Sequence, residues 1–188
     1  MRKMALNIPE GFVYRPNFLS IEEEAELAKP IRNIEFSGIK MRGQVARRRT
    51  AHFGWLYDYE SWKVEPGPPL PHFLISLKER AAKLAEVEAD ELAEALITEY
   101  PPGAGIGWHR DAPAFGIVVA ISLLSACRFR FRRGAVRRGD ALLTVEPRSA
   151  YVLRDEARSR WQHNISPTKA LRYSITFRTL RSRKAVST

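Results

Sequence analysis

The sequence predicts an α+β fold that is mainly β, with a double-sheet jelly-roll core supported by helices near the N-terminus. The length of 188 residues suits a single cored domain. Helical apolar periodicity is confined to the first half of the chain, and short β-rich segments between turn residues follow Glu91. We therefore expect one domain over residues 1–188, with helical support and a covering lid in residues 1–90 and the β core in residues 91–180.

Two helices are predicted in the first half of the chain. The run Ser-Ile-Glu-Glu at residues 20–23 fits a capping box and predicts a helix from Ile21 to about Lys29, which Pro30 ends. Between residues 70 and 84 the apolar side chains recur on one stripe while charged side chains face water, which predicts a second helix.

The second half of the chain is predicted to form the β core. Its segments are rich in β-branched and aromatic residues, and turn residues separate them at the spacing of an antiparallel barrel or a double-sheet jelly roll. The predicted strands are Ala95–Tyr100, Gly116–Leu124, Cys127–Arg132, Ala141–Val145, Ala150–Leu153, Trp161–Ile165 and Leu171–Arg178.

Composition indicates the kind of partner. Lys and Arg number 31 and Asp and Glu 21, so the formal net charge is +10, which favours nucleic acid as a partner but also serves solubility alone. Cys127 is the only cysteine, which excludes an internal disulfide and a cysteine-rich zinc site. The longest apolar run, Gly116–Leu124, is about half a membrane span, and the first residues lack the apolar segment of a secretory signal. We expect a cytoplasmic protein that binds no membrane and has no obligate protein partner.

Three residues are candidates for metal ligands. His109 and Asp111 are two residues apart, and an extended segment projects such residues from one face towards a common ion. His163, on a predicted strand, is the third, and two imidazoles with one carboxylate leave the open coordination positions that an iron(II) oxygenase needs. A His-x-Asp triplet or a lone histidine is also common without a metal, so the prediction depends on their conjunction. The other histidines, His52 and His72, are interpreted as structural or substrate-facing.

A polar strand follows the last of these candidates. Arg172, Ser174, Thr176 and Arg178 occupy alternate positions and therefore share one face. A guanidinium donates two parallel, charge-assisted hydrogen bonds to a carboxylate, so this face suits a dicarboxylate ligand. The alternative is an edge strand whose arginines are solvated.

The order and spacing of these residues resemble the AlkB-type 2-oxoglutarate-dependent dioxygenases, a family that removes alkyl groups from nucleic acids. The family pattern is an Asn-x-Tyr strand, a His-x-Asp pair, a distant His, and an Arg followed along the same strand by a second Arg. In this chain the pattern is Thr98-Glu99-Tyr100, His109-Arg110-Asp111, His163, and Arg172 through Arg178. Residues 53–59, Phe-Gly-Trp-Leu-Tyr-Asp-Tyr, are similar to the family's glycine-aromatic loop over the substrate, and the resemblance extends from about Arg47 to Arg178.

The resemblance implies a double-stranded β-helix core, an Fe(II) site, and the co-substrates 2-oxoglutarate and dioxygen. The residues implied are His109, Asp111 and His163 for iron, and Arg172, Arg178 and Tyr100 for 2-oxoglutarate. Thr98 stands where the family has Asn, so a co-substrate hydrogen bond is either lost or made by the shorter hydroxyl. Pro113 stands where several nucleobase-repair members carry an acidic residue that faces the base, which leaves the identity of the substrate open.

The implied reaction is oxidative removal of alkyl groups from nucleic-acid bases, in alkylation repair or RNA demethylation. A base inside a duplex cannot reach such a site, so the substrate is expected to be single-stranded or flipped out. Trp55, Tyr57 and Tyr59 are candidates for stacking on the base, and Arg47, Arg48 and Arg49, just before this aromatic segment, are candidates for phosphate contacts. The aromatic residues have the alternative of packing the second helix onto the core. On the predicted strand Cys127–Arg132, arginines alternate with core residues, which suits a phosphate track or a solvated surface.

Two other functions fit the sequence. An oxygenase of the same fold that acts on a protein or a small molecule is one of them, because fold and metal site do not determine the substrate. The other is a non-catalytic nucleic-acid-binding module with a vestigial metal site. It is disfavoured because all three metal-ligand candidates and both arginines are present.

Overall fold

The computed structural model describes residues 8–41, 44–57, 64–134 and 141–181. These residues form two antiparallel sheets, α-helices and short 3-10 helices. The strands are β1 (Phe12–Arg15), β2 (Ser37–Met41), β3 (Gln44–Tyr57), β4 (Val64–Pro66), β5 (Leu92–Tyr100), β6 (Ile106–His109), β7 (Phe115–Leu123), β8 (Cys127–Arg132), β9 (Ala141–Val145), β10 (Ala150–Leu153), β11 (Gln162–Ile165) and β12 (Arg172–Leu180). The α-helices are α1 (Ile21–Ile31), α2 (Ile75–Ala85) and α3 (Asp155–Ser159), and the 3-10 helices are His72–Leu74 and Ala89–Glu91.

The two sheets face each other across an apolar core, and this arrangement is the double-sheet jelly roll that the sequence predicts. The larger sheet has the strand order β1-β10-β7-β12-β5-β3-β2, with β4 paired to β3, and the smaller sheet has the order β6-β11-β8-β9. Phe129 and Phe131 of the smaller sheet are buried in one cluster with Tyr151 and Leu153 of the larger sheet. Side chains alternate across each strand, so every second residue of the larger sheet points into the space between the sheets.

Helices α1 and α2 cover the outer face of the larger sheet, where Ile31 is buried in one apolar cluster with Ile175. The predicted capping box is present, because Ser20 Oγ accepts a hydrogen bond from the Glu23 N–H at 3.1 Å and Glu23 Oε2 accepts one from the Ser20 N–H at 2.7 Å. The helix continues through Pro30, since a proline in the last turn forfeits only one helical hydrogen bond. Within the described ranges no helix is both long and apolar enough to cross a membrane.

The first half of the chain contributes more β structure than its local pattern predicts. Strands β1 to β4 all lie in it, and β3 pairs with β5 over Arg49–Gly54. The prediction of a loop over residues 53–59 is wrong for Phe53–Tyr57, which belong to β3, and residues 58 and 59 lie outside the described residues. Gly54 has φ +81°, a left-handed conformation that suits glycine. The pairing with β5 stabilises β3, and a local sequence pattern does not report such long-range pairing.

Candidate active site

The three metal-ligand candidates predicted from the sequence converge beside the end of β6. His109 is the last residue of β6 and pairs directly with His163 of β11, and Asp111 follows in the next loop. The two imidazole centroids are 4.2 Å apart, and His163 Nε2 lies 3.7 Å from Asp111 Oδ2. One ligand atom from each of the three residues lies within 4.8 Å of the others. Strand pairing thus gathers two imidazoles and one carboxylate into a set that can hold one metal ion.

Both imidazoles are in the neutral form that a metal requires. His109 Nδ1 lies 2.8 Å from the carbonyl oxygen of Gly107. Because a carbonyl only accepts, Nδ1 donates its proton there and Nε2 keeps its lone pair. Burial lowers the pKa of His109, and burial together with the neighbouring His109 lowers the pKa of His163 to about 3. Neutral imidazoles bind a metal without first losing a proton.

Asp111 is ionised because a guanidinium faces it. Arg178 Nη2 donates to Asp111 Oδ1 at 2.9 Å. Burial alone would raise the pKa of Asp111, but the charge of Arg178, with smaller contributions from His163 and His109, outweighs burial and holds the pKa well below its usual range. The third candidate ligand is therefore a carboxylate with a fixed orientation.

Arg178 also connects the site to a buried glutamate. Its Nη1 donates to Glu94 Oε2 at 2.9 Å, and His52 Nδ1 lies 2.9 Å from Glu94 Oε1. A chain of hydrogen bonds therefore runs from the partly exposed His52 through Glu94 and Arg178 to Asp111. The sequence predicts that Arg178 binds a 2-oxoglutarate carboxylate, and in the structure its two terminal nitrogens donate to Asp111 and Glu94.

Sequence reasoning missed two charged residues of this site, Glu94 and Arg158. Glu94 is 1% exposed and stands opposite Arg178 in the β5–β12 register. The available signal was a glutamate within the apolar run of residues 92–97. Arg158 in α3 donates through Nη2 to the carbonyl oxygens of Ala112 and Phe115, at 2.7 Å each, and so fixes the loop after Asp111. No local pattern distinguishes Arg158 from its charged neighbours.

Arg172 is fully buried, with 0% exposure, on a strand that lies between β5 and β7. The alternative of an edge strand with solvated arginines is therefore wrong. Arg172 Nε donates to Ser122 Oγ at 3.0 Å, and the guanidinium carbon lies 5.0 Å from the centroid of the Tyr100 ring. Within the described residues, Nη1 and Nη2 have no hydrogen-bond partner. Burial alone would lower the pKa of Arg172, but the polar groups of Cys127, Tyr100 and Tyr151 raise it, so the group stays a cation.

The buried cation of Arg172 fits the carboxylate of a dicarboxylate co-substrate. A charged group in a low-dielectric interior is costly unless an opposite charge accepts its hydrogen bonds. Tyr100 stands directly opposite Arg172 in the β5–β12 register, and Thr98 stands opposite Ser174 on the same inward face. Thr98 is 5% exposed, so its hydroxyl lines the space between the sheets beside Arg172.

The predicted aromatic contacts occupy different environments. Trp55 is 39% exposed and pairs with Pro66 on β4. Tyr57 packs edge-on against Phe115, with ring centroids 6.1 Å apart, and borders a groove of about 710 Å³ that His52 and Phe73 also line. Tyr59 lies outside the described residues.

The three predicted phosphate-contacting arginines do not share one face of β3. Arg48 lies on the inward face, close enough to Tyr100 and His109 for its charge to act on both side chains. Arg47 and Arg49 lie on the opposite face by the alternation of the strand. Arg49 donates to Glu99 Oε2 through Nε and Nη2, at 2.6 Å each. A phosphate track formed by all three arginines together is therefore not the arrangement in the structure.

Two imidazoles and one carboxylate that can hold an ion, in one jelly roll with a buried guanidinium whose terminal nitrogens lack a partner among the described residues, are what a non-haem iron oxygenase with a carboxylate co-substrate requires. Fold and site together define that class. Residues 11–178 match the model of the 2OG-Fe(II) oxygenase superfamily, and the chain belongs to this superfamily. Enzymes of this superfamily use Fe(II), 2-oxoglutarate and dioxygen, and His109, Asp111 and His163 form the ligand set that the sequence predicts for the iron.

Curated proteins similar to this chain include AlkB homologues. The tRNA (carboxymethyluridine(34)-5-O)-methyltransferase ALKBH8 of Mus musculus is 31% identical over 172 residues, which cover 86% of this chain and 25% of that protein. The alkylated DNA repair protein ALKBH8 homolog of Arabidopsis thaliana is 29% identical over 188 residues, covering 85% of this chain and 51% of that protein. Uncharacterized protein L905 of Acanthamoeba polyphaga mimivirus is 25% identical over 193 residues, which cover 94% of this chain and 87% of that protein. The chain thus spans a quarter to about half of the length of the first two relatives.

Solved structures share the fold. The structure of OsALKBH1 superimposes with a TM-score of 0.73 at 15% identity and covers 92% of this chain and 98% of that chain. A prolyl-4-hydroxylase of Pseudomonas putida superimposes with a TM-score of 0.62 at 17% identity, and the match covers 92% of this chain and 94% of that chain. The double-stranded β-helix core and the resemblance to AlkB-type oxygenases are thereby confirmed.

Proposed function

We propose that this dioxygenase oxidatively removes alkyl groups from nucleic-acid bases, in alkylation repair or RNA demethylation. The observation that supports this substrate most directly is the inward position of Arg48. Arg49 pairs with Glu99 in the β3–β5 register, so Arg48 lies on the same face as Tyr100. A cation at that position suits a phosphate beside a base that has entered the site. Two relatives carry names that refer to tRNA and to alkylated DNA, and the net charge of +10 favours polyanionic partners.

In this proposal His109, Asp111 and His163 hold Fe(II). The iron, once bound with 2-oxoglutarate and dioxygen, supplies the oxidation, and the protein supplies binding, orientation and electrostatics. Arg178 is a positioning residue, because it fixes the carboxylate of Asp111 while Glu94 holds its other nitrogen. The carbonyl of Gly107 does the same for the imidazole of His109.

Arg172 binds one carboxylate of 2-oxoglutarate through its two terminal nitrogens. The hydroxyl of Tyr100 assists, and the shorter hydroxyl of Thr98 takes the place of the family's Asn amide on the same face. Burial raises the pKa of Tyr100, so its hydroxyl remains protonated and able to donate. The closed surroundings of Arg172 exclude water from the carboxylate and strengthen its hydrogen bonds.

The base enters single-stranded or flipped out, between the mouth of the jelly roll and the aromatic residues of β3. Tyr57 borders the groove next to His52 and is our candidate for stacking on the base, with the exposed Trp55 beside it. Tyr59 remains a sequence-based candidate for the same role. Arg48 is the phosphate contact nearest the iron. Arg47 and Arg49 lie on the opposite face of the strand, where Arg49 pairs with Glu99.

A second candidate substrate is a protein or a small molecule. Pro113 favours it, because several nucleobase-repair members of the family carry an acidic residue at that position. Pro113 is exposed in the loop that follows Asp111. The fold and the metal site are compatible with either substrate.

Two measurements test the proposal in sequence. Anaerobic titration with Fe(II) and 2-oxoglutarate is expected to produce the visible charge-transfer band of the chelate, and a His109→Ala variant is expected to lose it. Methylated single-stranded oligonucleotides are then expected to yield formaldehyde and succinate in equal amounts. Formaldehyde from methylated peptides, with none from any methylated oligonucleotide, would contradict the nucleic-acid substrate and favour the second candidate.

A further inference from the structure

The outer face of the smaller sheet carries a row of arginines that the active site does not use. Arg128, Arg130 and Arg132 alternate along β8 with buried residues, so their side chains leave the core on the side away from the larger sheet. Arg128 and Arg130 are exposed. Successive members of the row are about 6.7 Å apart, because residues two apart in a strand have that spacing. This spacing is comparable to that of successive phosphates along one extended nucleic-acid strand.

Trp108 holds two of these guanidinium groups in place. The Cζ atom of Arg132 lies 4.5 Å from the centroid of the Trp108 ring, and that of Arg130 lies 5.3 Å from it. Arg132 Nε also donates to Gln162 Oε1 at 2.7 Å. A guanidinium that is already ordered by an aromatic ring and a neutral amide loses less conformational entropy when it binds an anion.

The row continues towards the active-site mouth. Arg110 stands between two of the metal-ligand residues and donates through Nη1 to the Ser159 carbonyl oxygen at 3.4 Å. Arg133 and Arg160 both pair with Glu156, at 3.3 Å and 2.8 Å. Six arginines thus lie on or beside this sheet, and Glu156 pairs with two of them, Arg133 and Arg160. The resulting field is strongly positive and extends to the residues next to the iron site.

We propose that this arginine face, formed by Arg110, Arg128, Arg130, Arg132, Arg133 and Arg160, binds the sugar–phosphate backbone of a single-stranded nucleic acid and leads it to the mouth of the active site. The inference rests on the proposed function for the class of ligand. A single strand fits better than a duplex, because the row is one strand wide and presents its charges along a line. Contacts of this kind position the polymer and do not read its sequence.

Fluorescence anisotropy with a labelled oligothymidylate of roughly 16 nucleotides tests the arginine face. The test variant carries Arg128→Gln, Arg130→Gln and Arg132→Gln, and the control variant removes three positive charges from the helical side with Arg32→Gln, Lys78→Gln and Lys83→Gln. We expect the test variant to bind about tenfold more weakly or worse, and the slope of log affinity against log salt to fall by roughly 0.7 for each lost phosphate contact. The control variant is expected to keep most of the affinity and the slope.

Any of the following outcomes would contradict the assignment of nucleic-acid binding to the arginine face. Equal weakening in both variants would mean that net charge alone drives binding, and unchanged binding in the test variant would mean that the strand binds elsewhere. Polyglutamate that competes as well as the oligonucleotide would mean a general polyanion surface. Formaldehyde release from a methylated nucleoside, which has no phosphate chain, tests the proposed function separately from the arginine face. If the enzyme releases formaldehyde and the test variant still binds the oligonucleotide normally, only the arginine face is contradicted. If no methylated substrate yields formaldehyde, only the dealkylation is contradicted.

Discussion

The assignment of the 2-oxoglutarate site depends on the guanidinium group of Arg172. It is fully buried, and within the described part of the chain its two terminal nitrogens have no acceptor. Holding an unpaired cation in an apolar interior costs several kcal/mol, which a protein tolerates where a ligand later supplies the anion. By contrast, Arg178 on the same strand is neutralised within the protein by Glu94 and Asp111. Of these two buried arginines, Arg178 therefore stabilises the ligand-free protein, whereas Arg172 destabilises it until an anion binds.

We predict that Arg172→Met strongly weakens 2-oxoglutarate binding while the ligand-free protein is as stable as before or more stable. Replacement of a buried, unpaired charge by an apolar side chain of similar volume is neutral or stabilising. Loss of two charge-assisted hydrogen bonds should weaken 2-oxoglutarate by about 100-fold or more. Thermal unfolding with Mn(II), in the presence and absence of 2-oxoglutarate, measures both effects.

The matched control for this experiment is Arg178→Met. This substitution leaves two buried carboxylates without their partner, so we expect a large loss of stability, about 3–5 kcal/mol. Equal destabilisation by Arg172→Met, or a 2-oxoglutarate-dependent stabilisation that survives it, would show that Arg172 is a structural residue.

Within a single element, strand β3, side chains point alternately to opposite faces, so adjacent arginines have different roles. Arg48 faces the site, and Arg49 is paired with Glu99 on the other face. We predict that Arg48→Gln weakens binding of a single-stranded methylated oligonucleotide by about tenfold, the effect of one lost charge-assisted contact, whereas Arg49→Gln leaves affinity unchanged. Fluorescence anisotropy at fixed salt compares the two. Equal losses would indicate that both act through net charge.

The β5 strand offers a second test of the same alternation. Glu94 points inward to Arg178, and Glu99 points outward to Arg49. We predict that Glu94→Gln lowers affinity for Fe(II) or Co(II) by about tenfold or more, as loss of a partner behind a metal ligand usually does. Glu99→Gln on the same strand should leave metal affinity unchanged. Metal titration followed by Co(II) absorption distinguishes a positioning role for Glu94 from a merely structural one, which would alter stability but not affinity.

The elements differ in how far the sequence predicts them. Helix α1 is predicted well because its capping box is local, and β5 and β7 to β12 are predicted because turns separate strongly apolar runs. The short strand β6 (Ile106–His109) is not predicted, because its four residues contain no apolar run. Strands β1 to β4 are not predicted, because their stability comes from pairing with distant strands. β3 is the clearest case, because its run of arginines and aromatics matches no simple alternation and its pairing with β5 makes it a strand.

At the scale of the whole molecule, the jelly roll makes one site from residues that are far apart in the chain. The larger sheet brings β5 and β12 side by side and so places Tyr100 opposite Arg172, while the smaller sheet places His109 opposite His163. The order and spacing of the His-x-Asp pair and the distant His predict that these three side chains meet, because two imidazoles and one carboxylate form a specific metal-ligand set. The sequence does not predict Glu94 and Arg158, because their roles depend on strand register and on the loop after Asp111.

Because the metal-ligand candidates come from β6, β11 and the loop between β6 and β7, a bound ion should stabilise the whole fold. Mn(II) at about 100 times its Kd is predicted to add about 2.7 kcal/mol to the free energy of unfolding, which raises Tm by roughly 5–10 °C for a chain of this size. The shift should disappear on addition of a chelator and in His163→Ala, and it should persist in His72→Ala, since His72 is exposed at the start of a 3-10 helix. The comparison uses the difference with and without Mn(II), so any loss of packing in His163→Ala cancels. A shift that survives in His163→Ala would place the metal elsewhere, and one that is lost in His72→Ala would mean that the ion acts at the surface.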